Sequence, residues 1–127
     1  MNIYRDIILD HYKNPRNFGH LDRSDIKQED GNVTCGDRII IELAVKGKRN
    51  NEKYIEDIRF SGEGCAISQA SASILTEKVK GMTIDDIKKL DASFILTMLG
   101  TTLTPSRTKC ALLSLEVLQK AVGKICS

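Results

Sequence analysis

Apolar residues first recur at helical spacing. Ile3, Tyr4, Ile7, Ile8 and then His11 or Tyr12 share a face, with Asn2 placed to cap the start and Pro15 to stop the helix near Asn14. Residues 14–22, with Pro15 and Gly19 among polar neighbours, read as a loop, and a weakly patterned strand follows near residues 26–29. The period then shortens to two. Across residues 38–45, Ile39, Ile41, Leu43 and Val45 alternate with Arg38 and Glu42, and β-branched content supports a strand. Polar residues 47–53 turn the chain, and residues 54–60, with Ile58 and Phe60 on a common face, supply an antiparallel partner. Gly62, Glu63 and Gly64 read as a turn out of the sheet.

The period lengthens again after this turn. Ile67, Ala70, Ile74, Leu75 and Val79 form one stripe, leaving Ser68, Gln69, Ser73, Thr76 and Lys80 for the outer face of a helix closed by Gly81. Thr83, three residues before Asp86, caps a short helix reaching about Leu90, and residues 93–99 form another. Residues 100–105 are a loop. Leu112, Leu115, Leu118, Val122 and Ile125 mark a last helix that begins after Pro105. Strands followed by helices predict an α+β fold: a small three-stranded antiparallel sheet with helices packed on one face. No repeat or linker divides the chain, and its length suits a single domain over residues 1–127.

Composition narrows the function. The 19 basic and 17 acidic residues are interspersed, giving a net charge of +2 and no basic run that would neutralise phosphates. With no Trp, three Tyr and three Phe, there is little material for stacking bases. Nucleic acid is therefore not expected as a partner. No apolar run approaches the roughly 18 residues of a membrane span, and Arg5, Asp6 and Asp10 interrupt any secretory core, so a cytoplasmic protein is expected.

In that compartment the four cysteines serve metals or catalysis sooner than disulfides. Cys35 and Asp37 flank Gly36, whose conformational freedom permits a tight turn that brings two ligand-capable side chains inward. Cys65 lies between a glycine turn and a helix start, where the helix dipole favours thiolate. Cys110 follows Arg107 and Lys109 at the beginning of the last helix, where two cations favour it similarly. The long separations between these cysteines do not match paired CxxC zinc fingers. Cys126, next to the end, reads as an exposed thiol. His11 reads as a packing residue on its helix and His20 as a loop residue, neither as a ligand.

Four stretches carry a resemblance in order along nearly the whole chain: DHYKNPRN at 10–17, TCGD at 34–37, GEGCAISQASAS at 62–73 and RTKC at 107–110. Together they closely resemble the IscU/SufU/NifU N-terminal scaffold family. The resemblance implies an α+β fold with three cysteines and one aspartate converging at one end. By position these are Cys35, Asp37, Cys65 and Cys110, holding zinc or a [2Fe-2S] cluster. It also implies a cysteine desulfurase as sulfur donor, and apo iron–sulfur recipients or downstream carriers as acceptors. Members of the IscU branch usually carry His before the third cysteine, where this chain has Lys109, which favours the SufU branch. The insertion that SufU proteins usually carry between the second and third cysteines is missing.

The expected function is iron–sulfur cluster assembly, as a scaffold and sulfur acceptor. Cys35 is assigned as acceptor, with Cys110 as the competing choice. A zinc-dependent sulfurtransferase that relays persulfide without building a cluster is the alternative within the pathway. A structural zinc-binding interaction domain is the alternative from another class; metal removal would unfold it and no thiol would take sulfur. DHYKNPRN is either a helix stop with a structured loop or part of a desulfurase contact.

Overall fold

The computed structural model of the chain describes residues 3–32, 36–49, 52–100 and 103–125. Its elements run α1 (Ile3–Lys13), β1 (Ile26–Asn32), β2 (Asp37–Lys46), β3 (Tyr54–Glu63), α2 (Ala66–Val79), α3 (Ile84–Lys88), α4 (Ala92–Leu99) and α5 (Pro105–Gly123). Asn2, Cys35 and Cys126 lie outside the described residues.

The strands form one antiparallel sheet in the order β1-β2-β3, the α+β arrangement expected from the pattern. Alternation sends Ile39, Ile41 and Leu43 of β2, with Ile58 and Phe60 of β3, into a fully buried face. Helices α2 and α5 pack against the sheet, α1 lies on α2, and α3 and α4 pack on α5. The opposite sheet face is charged, with Glu42 paired across to Arg59 and ion pairs Arg38–Glu29 at 3.8 Å and Arg59–Asp57 at 2.5 Å.

Two elements run further than their patterns indicate. β1 continues to Asn32, pairing residue by residue with β2 from Leu43 back to Asp37; its polar side chains hide it from a hydrophobic period. β3 does not turn at Gly62 but continues to Glu63, opposite Arg38. A Cβ at Gly62 would lie 2.0 Å from the Arg38 carbonyl oxygen, so this glycine permits close approach of two backbones.

The largest departure is α2. Ser68, Gln69, Ser73 and Thr76, expected on an outer face, are buried together with Ser71. α1 covers one flank of the helix and α5 another, so little outer face is left. Small side chains admit both neighbours, and the hydroxyls are satisfied within the packing. Ser71 Oγ donates to the Ala111 carbonyl at 2.7 Å, and Thr76 Oγ1 to the Ser73 carbonyl at 2.7 Å. Ser73 Oγ accepts the Arg16 N–H at 2.8 Å and lies 2.8 Å from His11 Nδ1.

The DHYKNPRN stretch supplies two of these partners, His11 and Arg16. Arg16 pairs with Asp10 at 2.6 Å, folding the chain back after α1. Asn17 takes a left-handed conformation (φ 58°) that asparagine tolerates, and its amide donates to Thr76 Oγ1 at 3.1 Å. From there residues 17–19 bond the free edge of β3: the Phe60 N–H donates to the Asn17 carbonyl at 2.9 Å and the Gly19 N–H to the Phe60 carbonyl at 2.8 Å. Nearer the start of β3, the Ile55 N–H donates to Met82 at 3.0 Å and the Gly81 N–H to Ile55 at 2.8 Å.

Candidate metal centre

At one end of the sheet, the start of β2 meets the starts of two helices. Gly36 has φ 71°, a left-handed conformation open to glycine, and precedes Asp37, the first residue of β2. Asp37 is buried, at 3% exposure, on the core side of the strand. Its Oδ1 accepts the Cys65 N–H at 2.9 Å, which fixes the carboxylate. Its Oδ2 is buried and has no hydrogen-bond partner among the described residues.

Cys65 is the N-cap of α2, extended at φ −72° and ψ 168°, and its own side chain makes no capping hydrogen bond. Its carbonyl accepts the Gln69 N–H at 3.1 Å and the Ser68 hydroxyl at 3.0 Å. Gly64 makes the arrangement possible: a Cβ there would lie 2.3 Å from Asp37 Oδ1 and 2.6 Å from Ser68 Oγ. Cys110 enters from the second turn of α5 and is 2% exposed.

These three side chains place a carboxylate oxygen and two sulfurs within 4.8 Å of one another. The donors of a tetrahedral zinc site, with metal bonds of about 2.0–2.3 Å, stand roughly 3.3–3.8 Å apart, so small side-chain rotations would close this set. The unpartnered Oδ2 supports the fit. Burying a carboxylate oxygen without a donor costs about 1–3 kcal/mol or more, which a cation would offset. Thiolates and one carboxylate are donors for zinc and, being sulfur-rich, for iron–sulfur clusters. Cys35, the fourth expected donor, lies outside the described residues.

The two sulfurs open into a cleft of about 220 Å³ lined by Cys65, Ser106, Arg107 and Cys110. Lys109 is exposed and is not among these lining residues. A larger depression of about 310 Å³, lined by residues including His20, Asp57 and Arg59, contains no cysteine. Neither histidine joins the cluster. His11 is buried between Ser73 and Glu77, the latter 3.6 Å away, and burial holds its pKa below the ordinary value. His20 bonds Glu42 at 2.6 Å on the outer sheet face. Sequence reasoning missed Gly64, Ser68 and Ser106, which have no ligand chemistry of their own. Only the placement of Gly64 directly before a cysteine at a helix start signals its role.

Comparison with known proteins gives a consistent picture. Residues 3–126 match the family model described as the NifU-like N terminal domain. The zinc-dependent sulfurtransferase SufU of Bacillus subtilis (strain 168) is 39% identical, over 96% of this chain and 90% of its own. That alignment spans 139 positions against the 127 residues here, so the Bacillus protein holds residues without a counterpart in this chain. The iron–sulfur cluster assembly scaffold protein IscU 1 of Archaeoglobus fulgidus is 36% identical, over 94% of this chain and 74% of its own. A crystal structure from Fervidobacterium islandicum AW-1, described as a SUF-system cluster assembly scaffold, superposes with a TM-score of 0.73 at 26% identity, covering 92% of this chain and 94% of that one. No helix among the described residues is long and apolar enough to cross a membrane.

Proposed function

Because the chain belongs to the NifU-like N-terminal domain family, we propose that it accepts sulfur from a cysteine desulfurase and assembles it with iron as a scaffold. The site comprises Cys35, Asp37, Cys65 and Cys110, within a single cytoplasmic domain spanning residues 1–127. The observation that carries this reading is the meeting of Asp37, Cys65 and Cys110, whose donor atoms lie within 4.8 Å of one another. The [2Fe-2S] cluster is product and cargo, passed on to apo recipients or downstream carriers.

The protein's part in sulfur uptake is nucleophilic. A cysteine thiolate of the site attacks the terminal sulfur of the desulfurase persulfide. A new S–S bond forms as the donor's S–S bond breaks, the donor leaves as thiolate, and the transferred sulfur keeps the charge or proton it arrived with, so no oxidant or reductant is consumed. Cys35 is the assigned acceptor. Cys110, at 2% exposure, is the competing one and is reached through the cleft. Asp37, with Oδ1 held by the Cys65 N–H, has Oδ2 left to ligate. As the one hard donor of the set, it is the ligand suited to let go when cargo leaves. Zinc, when bound, would keep its cysteine ligands deprotonated.

A second reading, a zinc-dependent sulfurtransferase that never builds a cluster, is favoured by the 39% identity to the Bacillus protein of that description and by Lys109 beside Cys110. One experiment separates the readings: zinc-loaded protein, a cysteine desulfurase from the same organism and cysteine, without iron, following alanine formation and persulfide on Cys35, Cys65 and Cys110 by mass spectrometry. Sulfur retained only after iron replaces zinc supports the scaffold. Sustained alanine formation with one cysteine persulfidated supports the sulfurtransferase. No sulfur on any cysteine under either condition overturns both.

A further inference from the structure

The cleft between Cys65 and Cys110 holds a cation that neither the fold nor the metal donors use. The backbone N–H of Arg107 donates to Thr104 Oγ1 at 3.4 Å, a capping bond that any residue but proline would supply. Its exposed guanidinium, like those of Arg23 and Arg49, has no carboxylate partner among the described residues; what sets Arg107 apart is its place in a cleft with two cysteines. The same cleft receives the N-terminal ends of two long helices: Cys65 opens α2 without a capping bond from its own side chain, and Ser106 and Arg107 lie in the first turn of α5. Both ends carry partial positive charge.

The cleft walls thus attract an anion, while the adjoining donors Asp37, Cys65 and Cys110 ionise to negative groups. Two thiolates and a carboxylate together outweigh the charge of one zinc ion. A persulfide anion is repelled by the site it must reach unless a cation stands at the entrance. A guanidinium, planar and weakly hydrated, suits that task.

We infer that Arg107 binds the anionic sulfur end of the incoming donor between Cys65 and Cys110, admitting persulfide and stabilising the donor thiolate as it departs. This rests on the sulfur-accepting reading above, and the test has one arm independent of it. Metal-free protein is alkylated with anionic iodoacetate or neutral iodoacetamide, and modification of Cys65 is quantified by peptide mass spectrometry. Both reagents consume the same thiolate, so the ratio of their rates reports the local field and not the thiolate fraction. The ratio is expected to fall roughly three- to tenfold in Arg107→Gln, to recover in part in Arg107→Lys, and to hold in Lys109→Gln. The wild-type preference should shrink on going from about 10 mM to 500 mM salt.

In the second arm, zinc-loaded Arg107→Gln should keep its zinc and its melting temperature but need a several-fold higher desulfurase concentration for half-maximal sulfur uptake. An unchanged alkylation ratio in Arg107→Gln, or an equal fall in Lys109→Gln, overturns the inference. If wild type takes up sulfur and Arg107→Gln matches it, the role of Arg107 falls alone. If wild type takes up none, the functional reading falls and the role in persulfide binding falls with it.

Discussion

The two ends of α2 are built from similar residues to opposite purposes. Toward its C-terminal half, Ser73 and Thr76 are buried and bonded to His11, Arg16 and Asn17. At its start, the N-cap cysteine makes no side-chain capping bond, a buried carboxylate oxygen is unpartnered among the described residues, and two cysteines line a cleft. The first region spends its polar groups on holding the fold; the second keeps them available. A buried polar atom without a partner is costly, and a metal ion held beside the two sulfurs would offset that cost.

The sharpest way to break this contrast is to supply and withdraw the ligand. Zinc at about a thousand times its dissociation constant should add roughly 4 kcal/mol to the unfolding free energy. Cys65→Ser should lose most of that gain while leaving metal-free stability nearly unchanged, as differential scanning calorimetry would show. At the other end of the helix, Ser73→Ala strands the partly buried Arg16 N–H and the buried His11 Nδ1 and should cost about 1–3 kcal/mol in urea denaturation. Zinc affinity should hold in that variant; a parallel fall would mean that the two ends are not independent.

Gly64→Ala sharpens the contrast from the site side. The added methyl displaces the Asp37 carboxylate or Ser68, so zinc affinity, measured by competition with a chromophoric chelator, should drop on the order of tenfold. Global stability should change less. The smallest effect belongs to His11. Burial is the main cause lowering its pKa from 6.5, with Arg16 acting in the same direction and Glu77 and Asp10 opposing. The unfolded chain therefore binds this proton more readily than the folded one. The contribution is fully present above about pH 6.5 and is lost as pH falls toward the lower folded value. Denaturation of metal-free protein between about pH 7.5 and 5 should show a shallower slope in His11→Gln.

Much of this was legible in the chain because periodicity reports which face of an element is buried. Ile39, Ile41 and Leu43 announced β2, and the stripe from Leu115 to Val122 announced α5. Where burial surrounds an element, the period carries no such information. The serines of α2 looked like a solvent face because hydroxyls satisfied by a distant loop cannot be told from hydroxyls satisfied by water. Gly62 looked like a turn because a glycine that lets backbones approach and one that reverses the chain are the same letter. At the site, cysteine and aspartate identity together with a helix start brought Asp37, Cys65 and Cys110 forward. Their supports did not stand out, because Gly64 contributes by lacking a side chain and Ser68 through a local hydroxyl bond.

The closing of β3's free edge bears on the company this protein keeps. Residues 17–19 at one point and residues 81–84 at another occupy groups with which a foreign strand would otherwise register. The sheet's other edge is β1, whose Lys27, Glu29 and Asp30 discourage stacking of identical chains. Under the proposed function, a protein that meets a sulfur donor and a recipient in turn would gain from having few places where contact is adhesive. Both edges are thus poor templates for strand addition, and the proposed exchange of sulfur would take place at the end where β2, α2 and α5 meet.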